Sequence, residues 1–218
     1  MDLKELEELV SMGEGQRLEF KLKAAFPDKI VKEFVAFANT DGGQLFVGVD
    51  DNGRIAGSKI AEEERYVIDK AITNHTKPGI RYKFEFIRVN QKRSVLHYKV
   101  FEKRKKPVYF LPDPGKRGLA FVRVEDKSVK ASRELVEILR RSKTNKSYPV
   151  RLNETAHQLF RHLAENGHAT LEDFVRISKL SKFKASRILV NLVVSNILEI
   201  ELGDKVDYYS MKDIEEYK

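Results

Sequence analysis

The sequence predicts an α+β fold in which a mixed sheet is followed by a smaller helical domain. Residues 81–90 and 93–101 alternate apolar and polar side chains, which is typical of β-strands. Earlier strands are interleaved with segments of helical spacing, whereas the last third of the chain reads as three helices and a hairpin. We therefore expect a first domain at residues 1–142, a linker at 143–150 and a second domain at 151–212.

The first elements are a helix over residues 2–11 and a strand that begins near residue 17. Leu18, Phe20 and Leu22 alternate with charged residues, so the period-two geometry of a strand directs the apolar set to the core. The charged set then lies on an exposed face and comprises Arg17, Glu19, Lys21 and Lys23. We expect these charged side chains to be open to solvent.

The next elements surround a glycine-rich turn. Helical spacing predicts a helix over residues 28–39 with Asp28 as its N-cap, and the Asp-Gly-Gly at 41–43 ends it. A buried strand over 44–49 and another helix over 60–76 follow. Helix termination before a buried strand explains both glycines. The alternative is a loop that binds the phosphates of a nucleotide, but the lysine that follows the glycines in such a loop is absent here.

A hairpin and a helix complete the first domain. The hairpin pairs residues 107–111 with 119–124, and the helix runs from Ser132 to Arg141. In the second domain, the predicted elements are helices at 154–166, 171–178 and 182–195 and strands at 197–202 and 205–210. Three helices and a hairpin resemble a winged-helix, helix-turn-helix domain, which implies contact with DNA or, alternatively, with another protein.

Charge is distributed unevenly along the chain. The net charge is +8, and residues 88–148 alone hold 18 Lys and Arg against 6 Asp and Glu. The chain contains no cysteine, which excludes a disulfide framework, a thiolate zinc site and a cysteine nucleophile. No apolar run approaches the roughly 20 residues that span a bilayer, so we expect a cytoplasmic protein with no membrane partner.

The basic excess predicts a polyanionic partner, and a run of four cations beside Tyr109 and Phe110 is its densest part. This run consists of Lys103, Arg104, Lys105 and Lys106. Positive side chains interleaved with aromatic ones are typical of nucleic-acid-binding surfaces. The alternative is a solvated basic surface that only promotes solubility.

The third helix of the second domain carries a further basic face. Its core positions are expected to be Phe183, Ile188, Leu189, Leu192 and Val193. Lys182, Lys184, Arg187 and Asn191 then remain on the exposed side. Lysine and arginine suit phosphates, and arginine and asparagine suit base edges. Acidic residues in the following hairpin would repel a duplex, which keeps a protein-contact role open.

Carboxylates cluster near the glycine-rich turn. Glu14 precedes the first predicted strand, Glu19 lies on it, and Asp51 follows the next one. Carboxylate oxygens are hard ligands that suit Mg²⁺ or Mn²⁺, and Lys21 on the same face as Glu19 could stabilise charge on a phosphate. The alternative is that Glu19 pairs with Lys21 while Asp51 is a turn residue.

The segments at residues 13–21 and 36–51 together resemble the Schlafen-type AlbA-like domain. The resemblance covers residues 10–141 and selects Glu14, Glu19 and Asp51 as catalytic and metal-binding positions if the protein is a nuclease, with Lys21 as a further catalytic residue. It implies Mg²⁺ or Mn²⁺ in that case and no cofactor otherwise. Schlafen nucleases use two such lobes and a zinc site, whereas this chain has room for one lobe and lacks cysteine.

A second segment, residues 121–132, resembles the closing motif of the same family. In that motif a strand with an arginine leads through a small-residue turn to a helix. Arg123 occupies the arginine position, and Glu125 stands where the family usually has glycine. Arg123 is expected either to reach a nucleic-acid phosphate or to pair with Glu125 or Glu19.

These observations favour a nucleic-acid-binding protein, with DNA preferred over RNA, that acts as a homodimeric transcriptional regulator. The first alternative is a metal-dependent Schlafen-like endoribonuclease. The second is a protein-interaction module whose helical domain assembles subunits. The regulator predicts salt-sensitive binding of a duplex, and the endoribonuclease predicts metal-dependent cleavage. The interaction module predicts neither binding nor cleavage of nucleic acid.

Overall fold

The computed structural model describes residues 1–113, 116–142 and 154–212. It divides into two compact units, Met1–Ala131 and Ser132–Lys218. Helices and a mixed sheet occur together, so the predicted α+β class is confirmed. Within the described ranges, no helix is long and apolar enough to cross a membrane.

The first unit contains a four-stranded mixed sheet in the order β1-β2-β5-β4, in which only β1 and β2 are parallel. Two short pairs, β3 with β6 and β7 with β8, lie beside it. Its helices are α1 (Leu3–Ser11), α2 (Pro27–Asn39) and α3 (Ala61–His75). Its strands are β1 (Leu18–Lys21), β2 (Gly43–Val47), β3 (Thr76–Lys77), β4 (Tyr82–Asn90), β5 (Arg93–Val100), β6 (Tyr109–Phe110), β7 (Phe121–Val124) and β8 (Lys127–Lys130).

Apolar side chains cover both faces of the sheet. On one face, Phe34 of α2 packs edge-on against Tyr82 and Tyr98 in a core that also includes α3. On the other face, Leu6 of α1 packs with Phe20 and neighbouring strand residues. Because both faces are covered, strand residues of either parity can be buried.

Three local predictions in this unit differ from the structure. Glu19, expected on an exposed face, is only 4% exposed, while Leu22, expected in the core, is 45% exposed just beyond the end of β1. The N-cap of α2 is Phe26 rather than Asp28, because Pro27 fills the first helical position, where its missing N–H costs nothing. Asp28 lies in the first turn instead.

The predicted hairpin of residues 107–111 with 119–124 is also only partly right. Only an isolated bridge joins Phe110 to Leu119, because β6 pairs with β3. The strand at 121–124 pairs instead with β8 across a two-residue turn. Both pairings join short segments, which sequence periodicity does not resolve.

In its described residues, the second unit contains four helices and a two-stranded hairpin. They are α4 (Arg133–Arg141), α5 (Glu154–Asn166), α6 (Leu171–Ser178), α7 (Lys182–Val194), β9 (Leu198–Glu201) and β10 (Tyr208–Met211). Phe174, Leu189 and Tyr209 are among the buried residues of its core. An isolated bridge between Ala169 and Tyr209 extends the hairpin.

The division of the chain differs from expectation at α4. We predicted that this helix closes the first domain, but it belongs to the second unit and packs on α7. Its N-cap hydroxyl, on Ser132, donates to Asp207, and Glu134 accepts a hydrogen bond from Ser186. The predicted linker at 143–150 lies outside the described residues.

Candidate nucleic-acid interfaces and a buried charge cluster

Arg123 lies at the centre of a buried charge cluster in the first unit. Its side chain is fully buried, and Nη1 donates to Glu19 Oε2 and to Glu33 Oε2, each at 2.7 Å. Nη2 donates to the Gly15 carbonyl at 2.7 Å. A buried guanidinium needs such partners, because an unpaired charge in the interior is strongly unfavourable.

Strand β7 and helix α2 together place this guanidinium. Arg123 points from β7 towards α2, where its guanidinium carbon lies 4.9 Å from the centre of the Phe37 ring. Ser128, opposite Arg123 in the β7–β8 register, donates its hydroxyl to Glu33. Arg123, which we predicted could reach a phosphate, therefore has its charge balanced inside the protein. Of the two predicted alternatives, the structure shows the pair with Glu19.

Glu125, the residue at the usual glycine position, turns the chain between β7 and β8. Its φ of 54° lies in the left-handed region, which glycine adopts more readily than other residues. The turn brings Ser128 back beside Arg123. The turn therefore forms although glycine is absent, and it leads into β8 before the helix.

Lys21 and Glu14 extend the cluster to the surface. Lys21 forms an ion pair with Glu19, and its Nζ also donates to the Phe20 carbonyl at 2.9 Å. Burial acts to lower the pKa of Lys21, but the bond and charge of Glu19 outweigh it and raise that pKa. Glu14 accepts a 2.7 Å hydrogen bond from the Phe20 N–H, and burial raises the pKa of its carboxyl group.

The structure does not bring the three predicted metal ligands together. Each Glu19 oxygen is paired with a cation, Oε1 with Lys21 and Oε2 with Arg123. Asp51 is an exposed turn residue after β2. In the ranges that the structure describes, no group of three acidic or histidine side chains could hold a metal ion. The expected donor set of Glu14, Glu19 and Asp51 therefore does not fit Mg²⁺ or Mn²⁺ in this arrangement.

Glu33 is the member of this cluster that sequence reasoning missed. It lies in α2 between Lys32 and Phe34, immediately before the buried apolar positions that begin at Phe34. Burial, followed by the charge of Glu19, raises the pKa of Glu33. An acid next to the buried face of a helix was the available signal, because such an acid needs a cationic partner.

The basic run near Tyr109 divides into structural and exposed cations. Lys106 Nζ donates to the Thr40 carbonyl at 2.6 Å and pairs with Glu102 at 3.0 Å. Lys103 Nζ donates to a backbone carbonyl, that of Gly79, at 2.7 Å. The side chains that remain exposed are Arg104 and Lys105. Half of the predicted run therefore helps to hold the fold.

The N-terminal half of α7 presents a basic and aromatic face. Lys184 and Arg187 are exposed, as predicted, and the Arg187 guanidinium lies 5.8 Å from the centre of the Phe183 ring. Phe183, which we expected in the core, is 62% exposed. Helical geometry explains the difference, because Phe183 lies one turn before Arg187 on the same side of α7. Lys182 is exposed as well but pairs with Glu172.

Asn191, expected to face a ligand, contacts α4 instead. Its side-chain oxygen accepts a 3.1 Å hydrogen bond from Arg141 Nη1. Helix α4 therefore occupies the C-terminal half of this side of α7. The candidate interface on α7 is limited to Phe183, Lys184 and Arg187, with Lys182 at its margin.

Comparison with known proteins identifies the family of the first unit. The profile of the Schlafen, AlbA_2 family matches residues 14–132. This match spans more than half of the chain, so the protein belongs to the Schlafen AlbA_2 family, as the motifs predicted. No match was found among curated proteins.

Two solved structures are similar at low identity. One is the N-terminal domain of a RecG-related protein from Nitrosomonas europaea, with 23% identity and a TM-score of 0.45 over 57% of this chain and 89% of that one. The other is the DIP2311 protein from Corynebacterium diphtheriae, with 17% identity and a TM-score of 0.44 over 80% of this chain and 32% of that one.

Proposed function

We propose that this protein binds nucleic acid and acts as a DNA-binding transcriptional regulator that reads a duplex with α7. The observation that carries the proposal is the exposed face of Phe183, Lys184 and Arg187 at the start of that helix. In helix-turn-helix proteins, the N-terminal residues of the second helix contact base edges in the major groove. These three side chains stay exposed although α4 contacts the same half of α7 through Ser186.

The connection between α6 and α7 supports this proposal. Helix α6 starts with a capping box between Thr170 and Asp173 and ends at Lys179, whose φ of 55° is left-handed. A short turn then leads directly into α7. Two helices joined by a tight turn and followed by a hairpin are the arrangement of a winged helix.

The distribution of charge from α6 to β9 also supports binding of a duplex by α7. From Phe174 to Leu198 the sequence contains no acidic residue. Acidic side chains reappear in β9, where Glu199 and Glu201 are exposed. Phosphates would be attracted to α7 and repelled by β9, so we expect the duplex to lie against the helix rather than against the hairpin.

Fluorescence anisotropy with duplexes selected from a random pool tests the proposal. We expect Lys184→Ala/Arg187→Ala to weaken binding at least tenfold and to reduce the slope of log affinity against log salt by about 2. The matched control is Arg104→Ala/Lys105→Ala, which removes two exposed cations from the first unit. An equal loss of affinity in both variants would contradict the proposal that α7 contacts the bases of the duplex.

The same samples test the two alternative functions. Labelled tRNA and duplex DNA are incubated with Mn²⁺ or with EDTA, beside Glu14→Gln. Cleavage that requires the metal and is lost in the variant would replace the proposal with an endoribonuclease. Intact nucleic acid and no salt-sensitive binding would instead favour an interaction module.

A further inference from the structure

Among the described residues, no strand pairs with the outer edge of β4, which is nine residues long. β4 is the last strand of the four-stranded sheet, and it contains no proline or glycine. Three successive side chains near its start, Lys83, Phe84 and Glu85, are exposed. The opposite edge strand, β1, has only four residues. An edge strand of this length is a template for pairing with another strand unless the protein blocks it.

This edge is complementary to itself. In an antiparallel pairing of two β4 strands about a two-fold axis at Phe84, each Lys83 lies opposite Glu85 of the partner subunit. Cross-strand pairs of opposite charge stabilise a sheet, and the axis creates two of them. The same register places Tyr82 opposite Phe86 of the partner subunit and the two Phe84 rings opposite each other.

Neighbouring registers lack this match. A shift by two residues in one direction places Lys83 opposite Lys83, and a shift in the other direction places Glu85 opposite Glu85. Like charges directly opposite each other destabilise a sheet. The charges of Lys83 and Glu85 therefore favour the register centred on Phe84 over its two neighbours, and that register is two-fold symmetric.

The surroundings of Phe84 suit such a contact. Its ring is 43% exposed and lies 6.1 Å from Phe86 and 6.2 Å from Tyr98, so an apolar ladder reaches the edge of the sheet. The Arg65 guanidinium of α3 lies 4.7 Å from the same ring. A second sheet edge would bury this ring, which a monomer leaves in water.

We propose that two copies of this chain pair through their β4 strands to form a continuous eight-stranded sheet. The partner is a second copy of this chain, because the charges of one β4 strand are complementary to those of a second β4 strand related to it by a two-fold axis. The resulting assembly is symmetric and joins the first units of two chains. The inference does not depend on DNA binding by α7, and its test needs no nucleic acid.

Sedimentation velocity of the full chain over a concentration series tests the pairing. We expect a dimer for the wild type and roughly ten- to hundredfold weaker association for Lys83→Glu and for Glu85→Lys, since each change creates two repulsive pairs. When the two variants are mixed, every cross-strand pair becomes attractive, so a mixed dimer is expected to form.

Circular dichroism of each variant checks that the sheet is kept, which matters for Glu85→Lys because the Glu85 carboxylate also pairs with the Met1 ammonium and with His97 Nδ1, each at 2.9 Å. The matched control is Lys92→Glu, an exposed site in the turn after β4. A monomeric wild type, a dimer that Lys83→Glu leaves unchanged, or a mixture of the two variants that stays monomeric would each overturn the proposal.

Discussion

Arg123 is a single guanidinium that faces two buried carboxylates, those of Glu19 and Glu33. We predict that Arg123→Met lowers the free energy of unfolding by about 3–5 kcal/mol, because Glu33 loses its ion pair and the buried Glu19 keeps only the one with Lys21. Urea unfolding of both proteins measures the difference. Arg104→Met, at an exposed position, is the control and should change the value by less than about 0.5 kcal/mol. Equal effects would show that the cluster does not stabilise the fold.

The raised pKa of Glu14 predicts how the stability of the fold depends on pH. Burial raises the pKa of its carboxyl group above the usual 4.5, so the folded protein binds this proton more tightly than the unfolded chain does. The contribution to stability is full below pH 4.5 and is lost as the pH rises through the folded-state pKa. We therefore expect Glu14→Gln, which keeps an oxygen for the Phe20 N–H, to gain stability relative to the wild type from pH 4 towards 7.

Denaturant midpoints across this pH range measure the effect of Glu14→Gln. Glu8→Gln, on the exposed side of α1, is the matched control. A constant difference between Glu14→Gln and the wild type at every pH would contradict the prediction. A difference that is shared by Glu8→Gln would assign it to net charge instead.

The residues of the site show where sequence reasoning ends. Glu14, Glu19, Lys21 and Asp51 could all be named from the motif, but alternation assigned Glu19 to the surface. The alternation of side chains along a strand shows which of them share a face, but it does not show which other elements cover that face. Here the cover is Arg123, which lies 104 positions later in the chain. Such a contact depends on how distant strands pack.

At the scale of elements, long segments with clear periodicity were predictable. The strands β4 and β5 and the helices α5, α6 and α7 lie within about two residues of their expected bounds. The two-residue strands β3 and β6 were not predicted as a pair, because their pairing joins segments more than 30 positions apart. Two residues are too few to show a period, so only the folded chain reveals this contact.

The β7–β8 turn makes a prediction at this scale. Glu125 has a φ of 54°, a conformation that costs a residue with a side chain roughly 1–2 kcal/mol. We expect Glu125→Gly to raise the free energy of unfolding by about 0.5–1 kcal/mol, since part of the gain is offset by the greater freedom of glycine in the unfolded chain. Thermal and urea unfolding measure it.

The neighbouring Asp126 supplies the control for that change. Its φ is not positive, so Asp126→Gly brings only the entropic cost and is expected to destabilise the protein. If both glycine variants destabilise the protein to the same extent, backbone strain at Glu125 contributes nothing measurable.

At the scale of the whole molecule, the division between the two units depends on α4. Its side chains Leu135 and Ile138 are buried, and Arg141 donates to Asn191 of α7. We placed the end of the first domain after this helix because α4 follows directly on the last motif of the family. Amphipathic spacing shows that a helix has a buried face, but it does not show which of two cores receives that face.

This division predicts how fragments behave. A fragment of residues 132–218 retains α4 against α7 and is expected to unfold cooperatively. A fragment of residues 143–218 lacks Leu135, Ile138 and the bond from Arg141, and exposes the face of α7 that they cover. Each buried apolar side chain contributes roughly 1.5–3 kcal/mol, so we expect the shorter fragment to lose about 3 kcal/mol or more, or to fail to fold. Urea unfolding, followed by circular dichroism, measures the stability of the two fragments. Equal stability would show that α4 does not stabilise the second unit.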